Sequence, residues 1–494
     1  MIVRRIALLL LLTAWLPAAV AAAGTEIKLT LNEAIRLSAE RNLDVRAELY
    51  NPAQFEAEIN RNRGIYNPLL TAQTSYDDVT NANVAAGTAV TTAGKTLQLN
   101  AGISQLFWTG ATLSGGFTNA YNSTDRLGDY WQSTLSLTLN QPLLKNAGRE
   151  VTESAILVSR LAKYASIEKF NARLLATVAS ATTEYYKLYN LREQLEVRKV
   201  SLDLARKILH ETKARVAAGV LPAMEILNAE FGAASREKDL IDAENAVRDQ
   251  VEVLQQLLQL EARAEIIPVD QPRRDLITIS ENDSVQRILD RPDIREQKRN
   301  LEIAELQTRV FRNKTRPDLA LFGSVGANGL DHEASRDLEK MVNGDAPMWG
   351  VGLSFTYPLG NDAAENDYRK SRLRVEQTAL QIRNLEESAA NEVRAAIRGV
   401  TSGYKQIDVA DRGRSFAEER LRAFVKKNEV GLATTKDVLD VENDLATAKS
   451  NQIAAVVNYN NAIVALWKAT GELLERDGIH VVESDADKLY TKTR

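Results

Sequence analysis

The residues best placed to do chemistry are acids beside a turn. Asp437 and Asp440 lie three apart, so on a helix they share one face, just past Gly431. Glu225 takes the equivalent place after Gly219. A helix N-terminus favours such carboxylates through its dipole, so the plainest reading is solvated acids at a helix start and the chemistry on offer is electrostatic. Nothing supports catalysis. His210, His332 and His480 are far apart and lack ligand spacing. Gly323-Ser324-Val325-Gly326 lies in a strand-like context, the wrong setting for a phosphate loop. No catalytic, cofactor or metal site is expected, and the chain is read as not an enzyme.

The elements that must hold these acids are written twice. Gly219-Val220-Leu221 opens a turn whose flanks match those of Gly431-Leu432-Ala433, and each turn reverses a long proline-poor segment. Residues 143–221 contain no proline, and a straight helix over that span would approach roughly 100 Å. Pro222 suits a first helical turn and Gly219 the preceding C-cap. The second such segment runs from Leu359 to Arg494 without proline, and the return helix of the first is expected to reach about Ala264. Asp293-Ile294-Arg295 and Pro317 echo Asp44-Val45-Arg46 and Pro68 at one common spacing. The chain is therefore divided into a first repeat over 24–272 and a second over 273–494. Residues 30–62 read as a helix interrupted at Pro52, and 265–283 as an irregular connector.

Ahead of each long helix the period changes to two. Leu97, Leu99, Ala101 and Ile103 alternate with polar neighbours, as do Leu135, Leu137 and Leu139, and in the second half Val351, Leu353 and Phe355. Aromatic residues stand near the segment ends at Tyr76, Phe107, Trp108, Tyr121, Tyr130 and Trp131. One face meets an apolar setting and the other a polar one; with Asp77 to Lys95 read as a loop, a membrane barrel fits better than a soluble sandwich.

Composition narrows the class. The chain has 494 residues, no cysteine and a formal charge of −4. Arg4 and Arg5, the apolar run from Ile6 and Ala21-Ala22-Ala23 read as a signal peptide over 1–23, so the chain is expected to be exported. Removing it takes two arginines and no acid, moving the charge from −4 to −6, and this mild acidity argues against nucleic acid. Without cysteine there is no disulfide and no lipidated cysteine, so membrane attachment must come from the fold itself.

Val430-Gly431-Leu432-Ala433-Thr434-Thr435-Lys436-Asp437-Val438-Leu439-Asp440 resembles the periplasmic turn of TolC-type outer-membrane efflux proteins. Gln141-Pro142-Leu143, Tyr357-Pro358-Leu359-Gly360-Asn361 and Leu466-Trp467-Lys468-Ala469-Thr470-Gly471 resemble the same family, in the same order. The resemblance implies an α+β membrane channel, a transmembrane β-barrel joined to a long periplasmic α-helical barrel and built from two structural repeats per chain. It implies a homotrimer in the Gram-negative outer membrane, in contact with lipid and extending into the periplasm. Its partners would be a periplasmic adaptor and an inner-membrane transporter, and it would be the exit duct of a tripartite efflux or type I secretion system. Glu225, Asp437 and Asp440 would line the periplasmic gate, making it cation-selective and pH-sensitive. Gly219, Val220, Leu221, Gly431, Leu432 and Ala433 would face the adaptor. A stand-alone porin would leave the helices without a role, and a periplasmic coiled-coil scaffold would leave the alternating strands unexplained.

The sequence departs from the family in two places. Ala433 stands where a basic residue is common. The first half offers four candidate strands, about 69–78, 96–107, 111–121 and 131–141, where two are usual. The extra hairpin, turning at Trp108-Thr109-Gly110, either joins the barrel and makes eighteen strands in a trimer, or lies outside it; the family's ordinary twelve are favoured.

Overall fold

The computed structural model describes residues 26–85, 88–124, 128–261, 265–479 and 484–492. The signal peptide expected over 1–23, the helix end expected at Ala264, and His480 lie outside the described residues. The chain opens with β1 (Glu26–Leu29), α1 (Leu31–Arg41), α2 (Leu43–Glu48) and α3 (Tyr50–Arg63). Four strands follow: β2 (Leu69–Ala85), β3 (Thr88–Leu106), β4 (Thr112–Thr124) and β5 (Gly128–Pro142). The single turn α4 (Arg149–Thr152) leads to α5 (Ser154–Ala217) and α6 (Met224–Leu258). After β6 (Glu265–Pro268) and α7 (Glu281–Gln286) come α8 (Pro292–Lys314), β7 (Asp318–Asp331), α9 (Ala334–Asn343) and β8 (Ala346–Thr356). The chain ends with α10 (Asp362–Glu429), α11 (Thr435–Thr470), α12 (Leu473–Arg476) and α13 (Ser484–Lys492).

The long helices repeat closely. α5 has 64 residues and α10 has 68, and their return helices α6 and α11 have 35 and 36. Prolines and glycines set the limits. Pro68, Pro317 and Pro358 stand between helix and strand, and Pro142 closes β5. Pro52 does not itself break a helix: the breaks fall at Asn42 and Leu49, and Pro52 sits in the first turn of α3, where its missing N–H removes no bond.

The chain forms two compact units, each drawing on both repeats. The first comprises residues up to Asn42, Ser180–Asp275 and Gly403–Asn461. Its core gathers Leu29, Tyr185, Leu188, Leu254, Leu258 and Ile266, all at most 2 % exposed, and each of the leucines contributes about 2 kcal/mol by leaving water. β1 and β6 pair in parallel, Glu26 opposite Glu265 and Leu29 opposite Pro268. The connector expected over 265–283 thus begins as a strand, because Ile266 fills this core. The Tyr185 hydroxyl, 3.1 Å from the Leu29 carbonyl oxygen and 3.1 Å from the Asp270 N–H, satisfies the polar end of a buried ring. Burial pushes its pKa up to about 12.

The second unit comprises Leu43–Ala179, Leu276–Ser402 and Ala462 onward. It holds one six-stranded sheet in the order β2-β3-β4-β5-β7-β8, antiparallel at every step. The extra hairpin therefore joins the sheet, against the ordinary strand count. The residues read as a loop, Asp77 to Lys95, are largely strand as well: β2 and β3 keep their register up to Ala85 opposite Thr88. The turn at Trp108-Thr109-Gly110 forms, with Gly110 at φ +89°. Elsewhere in this unit Lys163 ties α5 to α3 and α13 through Glu56 (2.9 Å) and Asp487 (2.6 Å). Gly471, at φ +79°, ends α11 against Arg291, whose guanidinium bonds the Ala469 carbonyl (3.1 Å), Asp293 and Glu392.

Candidate functional site: the paired turns and a two-faced sheet

Both turns use the same local chemistry. Gly219 has φ +73° and Gly431 φ +78°, a conformation that side chains with a Cβ rarely adopt. Beyond each glycine an amide reaches back to the preceding helix, Val220 to the Arg215 carbonyl at 2.9 Å and Leu432 to the Lys427 carbonyl at 2.8 Å. The second turn is further fixed by Asn428, whose side-chain amide donates to the Ala433 carbonyl at 2.9 Å.

The two hairpins are locked to each other by groups that the sequence reading did not single out. Arg215 donates to the Asn428 carbonyl at 3.2 Å. Arg236 on α6 pairs with Glu442 on α11 at 3.0 Å and donates to the Leu439 carbonyl at 2.6 Å, with both ionic side chains almost wholly buried. Gly232 lets the helices approach: a Cβ there would lie 2.6 Å from a Leu439 methyl carbon. A turn-by-turn spacing could have drawn attention to Arg236 only as another solvated charge, because its partners lie some two hundred residues away.

The three acids have different surroundings. Asp437 caps α11: its carboxylate accepts the Thr434 N–H at 2.9 Å and the Thr434 hydroxyl at 2.8 Å, while its own N–H donates to that hydroxyl oxygen at 3.1 Å. The Thr434 N–H and hydroxyl hold the Asp437 carboxyl below its ordinary range, with Lys436 adding a smaller effect. Asp440 is exposed one turn on, and Glu225 is half-buried, one of its oxygens enclosed and without a hydrogen-bond partner. Around the turns, Val220, Met224, Val430 and Leu432 are exposed, and α6 adds Leu227 and Phe231 in a helical stripe. Exposed apolar side chains gathered at the turns in this way are of the sort that marks an interface.

The sheet belongs to the other unit and has its own logic. Paired residues share a face, so the register sorts side chains by parity. One face carries Leu97, Leu99 and Ile103 on β3, Leu135, Leu137 and Leu139 on β5, and Trp349, Val351, Leu353 and Phe355 on β8, all substantially exposed. The other carries Gln98, Asn100, Ser136, Thr138, Ser324 and Ser354. Tyr76, Leu97, Tyr121 and Trp131 form one cross-strand row closing the apolar face, with the Tyr121 and Trp131 rings 5.0 Å apart. That row meets β7 at Asp331, whereas the apolar face of β8 begins at Trp349, opposite Val325. On β8 the apolar face thus stops six residues, about 20 Å, short of that row. No described helix is long and apolar enough to cross a membrane, and among the described residues no cluster of acids and histidines is placed to hold a metal ion.

A sheet with one exposed apolar face, in a chain that also forms paired long helical hairpins, defines an α+β membrane channel. The comparisons agree. The outer membrane efflux protein family matches this chain over residues 285–472. Nodulation protein T of Rhizobium leguminosarum bv. trifolii is 24 % identical over 372 residues, covering 73 % of this chain and 76 % of its own. The pyoverdine export outer membrane protein OpmQ of Pseudomonas aeruginosa is 24 % identical over 336 residues, 66 % of each chain. The CmeC outer membrane channel of Campylobacter jejuni shares the fold with a TM-score of 0.67 at 18 % identity, over 94 % of this chain and 89 % of its own. The chain thus resembles TolC-type outer-membrane efflux proteins in sequence over its second half and in fold over nearly its whole length, which supports a place in the outer membrane with an extension into the periplasm.

Proposed function

We propose that this chain is the passive exit duct of a tripartite efflux or type I secretion system, docked at its paired turns by a periplasmic adaptor and an inner-membrane transporter. The observation that carries the proposal is the apolar surface at the turns. Leu432 is 78 % exposed on a turn whose backbone is fully organised, so the structure spends rigidity on presenting it rather than burying it. Three copies would close the duct. β2 and β8 each leave one edge unpaired, they run in opposite directions, and the β8 edge of one copy fits the β2 edge of the next as a further antiparallel step. Asp440, Asp437 and Glu225, repeated around a three-fold axis, would form acidic rings at the tip and favour cations there. The apolar sheet face would meet lipid. OpmQ and CmeC, by their names an export protein and a channel of the outer membrane, support the same reading.

The test is Leu432→Asp, made in the bacterium that carries this chain so that the native partners are present. Efflux-dependent resistance should fall about tenfold, the loss expected when a charge replaces a central apolar contact. The amount of assembled protein in the outer membrane should not change. Unaltered resistance with unaltered assembly would refute docking at this turn.

A further inference from the structure

The connection between β7 and β8 contains a helix, α9, that neither turn chemistry nor sheet pairing requires. It sits at the end of the sheet away from the prolines that join strands to long helices. It is folded down onto the sheet face that carries the leucines. Ser133 and Gly329 face each other across β5 and β7 in the same parity as Leu135 and Val325, and α9 covers both. A Cβ at Gly329 would run into the Asp337 carbonyl oxygen, so only glycine admits the helix. Asp337 and Ser133 are 0 % exposed. The Asn119 amide donates to the Ser133 hydroxyl oxygen at 2.7 Å, the Ser133 N–H donates to Asp337 at 3.1 Å, and the Ser133 hydroxyl donates to the other Asp337 oxygen. A polar row interrupts the apolar face here, and α9 seals it.

Having docked through Asp337 and Met341, α9 leaves a second apolar edge uncovered. Val342 is 76 % exposed and Leu338 39 %. The opposite side carries Arg336 and Asn343, and Lys340 there is engaged with Asp331 at 2.7 Å. The height is equally specific. Gly329 lies two same-face rows beyond Val325, the partner of Trp349 at the upper limit of the apolar face on β8, and one row short of the Tyr121–Trp131 pair on β4 and β5. An aromatic row next to an amphipathic helix marks the boundary between headgroups and acyl chains.

We propose that α9 is an interfacial anchor whose Leu338 and Val342 edge seats in the outer-leaflet lipid at the headgroup–acyl boundary. It is continuous with the lipid-facing sheet and rests on the reading of that sheet as membrane-embedded. The contact is apolar, so it needs no anionic headgroup: Arg336 and Lys340 are already paired with Glu333 and Asp331.

The experiment uses full-length protein reconstituted in phosphatidylcholine vesicles, with an environment-sensitive fluorophore on single cysteines at Val342, Arg336 or Leu137. The vesicles carry nitroxide either at the headgroup or at mid-chain. Val342→Cys should be quenched about twofold more by the headgroup nitroxide than by the mid-chain one, Leu137→Cys should show the reverse order, and Arg336→Cys should respond only to aqueous iodide. Iodide quenching at 342 without lipid quenching, with Leu137→Cys still quenched by lipid, overturns the anchor alone. So does self-quenching at 342 between copies, which would place a second chain on this edge. Loss of lipid quenching at both 342 and 137 overturns the membrane sheet and the anchor with it.

Discussion

At the scale of single residues, the two aspartates at the second turn divide their labour. Asp437 is committed to capping α11, with Thr434 lowering its pKa. A carboxylate depressed in the folded state adds stability that is present above its ordinary pKa of 3.8 and lost as pH falls through the lower folded value. Asp437→Ala is therefore expected to lower the thermal midpoint at neutral pH, and the difference from the parent protein should vanish in acid below the folded pKa. Asp440 is exposed and bonds no cap, so Asp440→Ala should leave that midpoint alone and reduce cation selectivity in single-channel recordings. Unchanged selectivity and divalent block in the Asp437→Ala, Asp440→Ala double variant would sink the acidic-gate proposal. The acids and their helical face were legible from spacing alone. Their unequal commitments emerge from the Thr434 cap, and the Arg236–Glu442 and Arg215–Asn428 contacts were hidden by sequence separation.

At the scale of elements, proline and glycine punctuation was the most readable part of the chain. Pro142 and Pro358 locate the strand-to-helix transitions, and Gly219 and Gly431 mark the reversals, because each residue does there what others cannot. Period-two alternation found every strand of the six-stranded sheet but underestimated β2 and β3, whose outer halves run through small and polar residues that read as loop. β1, β6 and α9 were missed for a related reason. Each is short, and each is held by a partner distant in sequence rather than by its own pattern. Close packing between α6 and α11 gives a test at this scale. Gly232→Val forces Leu439 aside and should cost about 1–3 kcal/mol of stability in thermal unfolding, with faster amide exchange over 435–442. Pairing it with Leu439→Ala should recover most of the loss, and no recovery would show that Leu439 is not the obstacle.

At the scale of the whole molecule, the first repeat brings four strands to the sheet and the second brings two. If three copies close the barrel, it holds eighteen strands, and images of the purified protein viewed down the barrel axis should resolve that number. Twelve strands with the β3–β4 hairpin set aside would contradict the closure proposed here. The sequence displayed the surplus hairpin and the family pattern argued against placing it in the wall; strand register puts it inside the six-stranded sheet, since β3 and β4 each have two bonded neighbours.

The surplus also reveals the grain in which such a wall can evolve. Each strand reverses the direction of the one before, so an insertion of a single strand between α3 and α5 would deliver α5 to the opposite side of the membrane. Only pairs are neutral. Multiplied over a symmetric ring, the smallest heritable change in girth is one hairpin per chain, a jump rather than a drift. A lineage could thus alter the width of its outer opening in a single duplication while leaving the tip, and every partner that recognises it, untouched.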